Sequence, residues 1–534
     1  MKENSSLSSF YSKIKINFQS PLWIIFVINL LVYIPIILFF NQFYSDDYVI
    51  FSNISRNPGY PISINPDERF FLFLRPISYF SFWLDFHLYG NNPIPMKIFS
   101  FVLHLVFLLY TFKLIETFSI WFWGKVNYKV LIFLMILLSV HRDSNIWVYW
   151  ISNRTELLYI LFYVIAIYNI MLFIQKDQIR YLVGYSIFFI LSILSKQQGS
   201  HLPVFVIFFL WIMRKNIPNT IRKKVIITSI YLISLVIVLS VFNYLLYQDS
   251  IPWEANFWKK PFSLIGILLH SFLPGVSNYI YIYFLYHKGI AVFILALITI
   301  IILFLVIKLK FKLNIKIFYF LLSVLIIFYP RILAVGANRI NAVIILWIII
   351  ALYFLFHNKK LKFSFLFFSG LIIIYSVTMF TECINLNQQI IKANREVQDF
   401  NSNYGSMLDD VISIGGFQSY YMNEYLFFLN NHKFGKYPNF QMPLLVYNVY
   451  YNKIYNEKVI SCEENDNYIL VRSNNQYVFL TINSTLPEKK DLFKINILEQ
   501  GPRGFQTARI KIGKNQSKSK CIVFYDGLNW TKIF

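Results

Sequence analysis

LWIIFVINLLVYIPIILFF, Leu22 to Phe40, runs directly into NQFYSDDYVIFSN, Asn41 to Asn53. The first stretch has the length that a helix needs to cross the hydrocarbon core of a bilayer, about 20 residues. The second sets two adjacent carboxylates, Asp46 and Asp47, at the boundary where that span ends. Such a pair is costly there, because like charges side by side disfavour each other's ionised form and neither is well solvated in the interface. A chain of lipid-facing helices keeps the pair mainly when it performs chemistry or binds an ion. A membrane enzyme is therefore the first expectation, and a transporter or flippase of a lipid-linked or anionic solute the alternative.

Composition agrees with the opening stretch. Of 534 residues, 57% are hydrophobic and 14% charged, against roughly a quarter charged in a soluble protein. Apolar stretches of spanning length recur along the chain, which predicts a multi-pass α-helical membrane protein. The opening MKENSSLSSFYSKIKINFQSP is too long and polar for the front of a cleaved signal peptide, so Leu22–Phe40 reads as a retained first span. The net charge of +23 reads as basic cytoplasmic loops rather than as a nucleic-acid surface. Arg214, Lys215, Arg222, Lys223 and Lys224 form one such cluster, and Lys308, Lys310, Lys312 and Lys316 a second. Lys359, Lys360 and Lys362 form a third, and clusters of this kind attract anionic membrane lipids.

Threading the chain through these anchors puts the N-terminus inside and residues 41–95 in a long external first loop. Span two returns over 96–116, spans three and four flank an external turn at His141–Arg154, and spans five and six flank Ser195–Ser200. Span seven covers 225–247, and the apolar piece 263–284 reads as re-entrant or interfacial. Spans at 289–307, 317–335, 340–356 and 363–381 bring the total to about eleven and leave the C-terminus outside. The organisation expected is a transmembrane module, 1–383, and a small extracytoplasmic α/β or β-rich domain, 384–534. In the latter, REVQDFNSNYGSMLDDVISI reads as a helix leading into a strand. YILVRSNNQYVFLTINS alternates like two strands around an Asn-Asn turn, and ARIKIGKNQSKSKCIVFYDG reads as another pair. Cys462 and Cys521 are candidates to pair in an oxidising compartment, although the sequence does not give their distance. No clustered His/Cys pattern points to a metal, so neither a metal nor a cofactor is expected.

The charges that topology does not absorb fall on the external side. They are Arg75 in FLRPISYFSFWL, His141, Arg154 and Glu156 in HRDSNIWVYWISNRTELLY, Lys196 in ILSKQQGSHLP, and Arg339 in AVGANRINAV. Each alone reads as an interface residue or a structural ion pair as readily as a site residue. Together, several cations beside a membrane-level carboxylate pair suit a phosphate-bearing substrate, whose oxygens match guanidinium groups.

The order of these motifs carries a resemblance. An acidic pair after span one is followed by RP-I-S and LYGNNPIPMKIFSFVLHLVFLL, then H-x6-V-x-W-I-x2-R-x-E-L-L, S-K-x-x-G-x3-P, and N-R before a late span. Over residues 20–360 the chain resembles the GT-C superfamily of polyprenyl-phosphate-sugar-dependent glycosyltransferases. Within it, the chain resembles the branch of the tetratricopeptide-bearing transmembrane O-mannosyltransferases and their bacterial relatives. The resemblance implies an inverting transfer of a sugar from a lipid-linked donor to a hydroxyl acceptor, on a glycan or a protein. It implies Asp46 or Asp47 as catalytic base, and Arg75, His104, His141, Arg154, Glu156, Lys196 and Arg339 as substrate-binding residues, with no metal required. The chain departs from the pattern at His141–Ile146, with Arg142, Ser144 and Ile146 where a proline, a second histidine and an acid are usual, and at Gln197, where an acid is usual. The tetratricopeptide repeats are absent as well. The AT-rich residue usage and the resemblance together suggest a bacterial cytoplasmic membrane, with the site facing outward.

Overall fold

The computed structural model describes residues 21–40, 42–43, 47–48, 50–51, 54, 75–214, 217–246, 341–357 and 361–404, together with the strands between 411 and 532 named below. The apolar piece 263–284 and the expected spans at 289–307 and 317–335 lie outside the described residues. What is described is mostly helical. The helices are α1 (Pro21–Phe39), α2 (Pro76–Tyr89), α3 (Pro93–Trp123), α4 (Tyr128–Ser139), α5 (Arg142–Tyr149), α6 (Arg154–Lys176), α7 (Ile179–Ser195), α8 (Leu202–Ile212), α9 (Asn219–Leu246), α10 (Asn341–Phe356) and α11 (Leu361–Tyr404). Among the described residues three helical stretches are long and apolar enough to cross a membrane: Pro21–Phe39, Pro93–Trp123 and Ile151–Lys176. The protein is accordingly membrane-embedded.

Local chemistry sets the helix ends. Asn92 accepts the backbone N–H of Ile94 at 3.1 Å in front of Pro93, and Gly124 closes α3 at φ 68°, where a side chain would be strained. Asp177 ends α6 in the same left-handed conformation, φ 46°, and its carboxylate accepts Lys224 Nζ at 3.0 Å from the start of α9. α4 and α8 have only 12 and 11 residues, about 18 Å of helix each, too short to cross a bilayer alone.

α1 and α3 run in opposite directions. The C-terminal end of α1 meets the N-terminal end of α3, where Lys97 Nζ donates to Phe40 O at 2.5 Å. At the opposite end of α3, Ser119 Oγ pairs with Tyr353 Oη of α10 at 2.8 Å, and Asn127 Nδ2 donates to His357 O at 3.0 Å. The main apolar core lies between these ends and is built from α3, α4, α6, α7, α8 and α10 around Leu131, Leu134, Tyr163, Val164, Phe173 and Tyr353.

Three expectations differ from the structure. The long first loop contains α2, which buries Ser78, Tyr79, Ser81, Phe82 and Asp85, one face of a helix at three- and four-residue spacing. The turn between spans three and four is itself helical, as α5 and a 3₁₀ turn, Ile151–Asn153. The predicted strand pairs also take other partners. β5 (Tyr468–Ser473) and β6 (Val478–Ile482) both form, but both pair with β8 (Gly504–Ile512). A nine-residue strand offers more ladder than either shorter one, so β8 pairs with both, and with β7 (Phe493–Gly501) as well. β9 (Cys521–Tyr525) leaves β8 altogether and joins β1 (Val411–Ser413) in parallel and β10 (Trp530–Lys532) in antiparallel fashion. β2 (Gly415–Phe417), β3 (Leu445–Val449) and β4 (Ile460–Asn465) complete the larger sheet, in the order β2-β3-β6-β8-β5-β4. Cys462 stands opposite Val471 in that sheet, and Cys521 opposite Val411 in the other. α11 runs unbroken from Leu361 to Tyr404.

The S-K-Q-Q-G stretch shows why one glycine is required. A Cβ on Gly199 would lie 2.6 Å from Ser192 Oγ and 3.4 Å from the Tyr159 ring, while Ser192 Oγ is itself held by Tyr159 O at 3.1 Å. Gly199→Ala is expected to cost about 1–3 kcal/mol by overpacking. Adding Ser192→Ala should recover most of that loss. Thermal unfolding of the single and double variants in detergent checks both; equal melting of Gly199→Ala and wild type contradicts the close approach.

Candidate functional site

The site is built where α1, α3, α6 and α7 end together. Asp47 is fully buried, and its Oδ1 accepts the backbone N–H of Ser152 at 2.7 Å. Ser152 belongs to the 3₁₀ turn that leads into α6, so the carboxylate is held beside that helix's N-terminus, where negative charge is favoured. Two and four residues beyond Ser152 come Arg154 and Glu156. Asp46 lies outside the described residues, as does Arg339.

Arg154 is wholly buried, and protein groups surround its guanidinium. Nη1 pairs with Asp85 Oδ2 at 2.5 Å and lies 3.5 Å from Ser81 O. Nε donates to Ser100 Oγ at 2.8 Å, and Nη2 to Met96 O at 2.6 Å. The rings of Phe99 and Phe82 flank it at 5.0 and 5.6 Å. One side chain on α6 thereby ties down α2 and the start of α3. With these donors engaged, Arg154 acts here by holding the walls together.

Glu156 and Lys196 form an ion pair across the mouth between α6 and α7, their side chains 13% and 11% exposed. Lys196 caps α7 in an extended conformation, and Ser195 O beside it accepts Ser78 Oγ of α2 at 3.0 Å. Arg75 precedes Pro76 at the start of α2 and is half-buried. The stretches containing Asp47, Arg154, Glu156 and Lys196 thus meet at one end of the helices.

Two further residues lie elsewhere in the packing. His104 is fully buried on α3 with its ring 4.9 Å from that of Tyr33, and neither ring nitrogen has a hydrogen-bond partner among the described residues. His141 sits beyond α4 with its ring edge-on to Tyr375 of α11 at 5.0 Å, while its carbonyl accepts from Asn145. Trp150 packs on the small cluster of Ile36, Phe40, Tyr149, Met379 and Cys383.

Sequence reasoning passed over Asp85 and Lys97. Asp85 was legible as the one acid on the apolar face of α2. Lys97 was legible as a charge one turn inside an apolar helix, in line with Ser100, His104 and Thr111. Both are buried. Among the described residues no group of His, Cys, Asp and Glu is arranged to hold a metal ion. No protein-family model matches the chain, and no curated protein is significantly similar to it.

Burial pushes the Asp85 carboxyl above the ordinary aspartate range, and the Arg154 guanidinium pulls it part of the way back. A carboxyl raised in the folded state contributes most stability below its unfolded value and loses that contribution as pH rises through the folded one. Arg154→Met, which leaves Asp85 buried and alone, is expected to lose about 3–5 kcal/mol at neutral pH. The deficit should shrink as pH falls from about 8 to about 5, because Asp85 then takes up a proton. Adding Asp85→Leu should recover most of it. Unfolding measured at both pH values checks this; a deficit independent of pH contradicts the pairing.

Proposed function

We propose that the protein is an integral-membrane inverting glycosyltransferase, which moves a sugar from a polyprenyl-phosphate donor to a hydroxyl acceptor. What carries this reading is the meeting, at one end of the helices, of the buried Asp47 with the Glu156–Lys196 pair and the Arg154 node. These come from stretches far apart in sequence, and they are the motifs on which the resemblance to the GT-C superfamily rests. The full architecture in this reading is a multi-pass bundle of about eleven spans, with the N-terminus inside. The site and the C-terminal strands face outward, most simply across a bacterial cytoplasmic membrane.

In the reaction, Asp46 or Asp47 takes the proton from the acceptor hydroxyl, whose oxygen attacks the anomeric carbon opposite the phosphate. The sugar–phosphate bond breaks, and the electron pair leaves with the polyprenyl phosphate. The transition state has oxocarbenium character, and a positioned general base contributes about 10²–10⁴-fold. Charge gathers on the departing phosphate, and a cation at a water-poor site offsets it strongly. Lys196, partly exposed at the mouth and already paired with a carboxylate, is placed to exchange that partner for phosphate; Arg75 and Arg339 are the other cations in this role. Arg154 serves by fixing the walls, and His104 and His141 by shaping the groove behind them. The reaction needs no metal in this account.

A transporter of a lipid-linked or anionic solute is a second reading, favoured by one observation. Asn29 Oδ1, both His104 nitrogens and Thr111 Oγ1 are buried between helices without partners among the described residues, as polar groups along a transport path are.

Purified protein offered a panel of polyprenyl-phosphate sugars and hydroxyl acceptors is expected to release polyprenyl phosphate. Asp46→Asn or Asp47→Asn should lower turnover by at least about 10²-fold with donor binding retained. Movement of intact solute into liposomes, with no bond cleaved in the presence of acceptor, would replace this reading by the second.

A further inference from the structure

We propose that Lys97 is a positioning residue for Asp47, through its hold on the backbone at Phe40 and Gln42. Lys97 lies one turn inside α3 and is 1% exposed. A buried ammonium is tolerated only where it is well paired. Its Nζ donates to Phe40 O at 2.5 Å and to Gln42 O at 2.7 Å. These carbonyls lie just beyond the last turn of α1, where a helix end leaves carbonyls without intrahelical partners and carries partial negative charge. The Phe40 ring stacks on Tyr149 at 4.7 Å with 10° between planes, so the first of the two carbonyls is fixed from its side-chain end as well. Asp47 interacts electrostatically with the ammonium and is itself tied to Ser152 N–H. Phe40 and Gln42 are therefore held by a cation on α3, and Asp47 by a backbone donor in the 3₁₀ turn before α6. Lys97 thus acts on Asp47 both through the main-chain oxygens it holds and through its charge.

The catalytic part of this inference rests on the glycosyl-transfer reading, whereas the anchoring part does not, and the experiment separates them. Full-length Lys97→Met and Lys97→Arg are compared with wild type in two assays. Hydrogen–deuterium exchange over residues 41–47 is expected to quicken at least tenfold (an order-of-magnitude estimate) in Lys97→Met, with protection in α6 unchanged. In donor turnover, Lys97→Met is expected to lower kcat about 10²-fold with KM within about twofold, since misplacement costs the reaction and not binding. Lys97→Arg, which keeps a cation and two donors, should restore both in part. Unchanged exchange in Lys97→Met overturns the anchor. Quickened exchange with unchanged kcat overturns the positioning role. Absence of turnover in wild type with every donor defeats the glycosyl-transfer reading, and exchange alone then decides the anchor. Should Lys97→Met fail to assemble, Lys97→Gln, which removes the charge and whose shorter amide cannot reach as far, is read in the same assays, with the same results deciding.

Discussion

Arg154 and Asp85 form a buried ion pair, and the rest of the site is arranged around it. Removing both charges from water costs several kcal/mol per ion, and the cost is met only when the remaining donors also find acceptors. Ser100, Met96 and Ser81 supply them. The pair consequently demands that α2, α3 and α6 meet in one arrangement, because any other would leave a charge buried and alone. A purely apolar contact between these helices would tolerate sliding, whereas this one specifies register. The 3₁₀ turn before Arg154 is carried into place by the same constraint, and with it the N–H that Asp47 accepts.

The mouth of the site rests on gentler chemistry. Lys196 and Glu156 retain some contact with solvent, whereas Arg154 has none. The contrast with Arg154 is instructive, since the two cations looked alike as charges near span ends. Depth separates them. A guanidinium with its donors occupied at the centre of three helices is architecture, whereas the Lys196 ammonium, paired with Glu156, keeps some contact with solvent.

Much of the helical part was legible because spanning length and hydrophobicity are written locally. Leu22–Phe40 corresponds to Pro21–Phe39, and the span expected at 340–356 to Asn341–Phe356. The segment between Asn41 and Pro95 was less legible, because its helix is only half apolar and declares itself by phase, not by length. The strand regions were found from alternation, but alternation does not name a partner, and β8 took neighbours on both sides that local turns did not foretell. At the site, charged residues at span ends could be picked out, while their roles could not. Whether Arg154 meets substrate or Asp85 depends on a contact between α2 and α6 that no local pattern encodes.

α11 has 44 residues, about 66 Å of helix against roughly 30 Å of hydrocarbon. Along its length it passes the cluster at Met379 and Cys383, and then brings Asn394 to Tyr48 and Gln42 in the segment around Asp47. A continuous helix keeps angular phase as well as height. One residue inserted between Cys383 and Asn394 would advance everything beyond it by about 1.5 Å and turn it by about 100°. Asn394 would then face away from Tyr48 while every span remained intact. The join between the membrane helices and the strands therefore works as a screw thread, in which the number of residues matters as much as their kind.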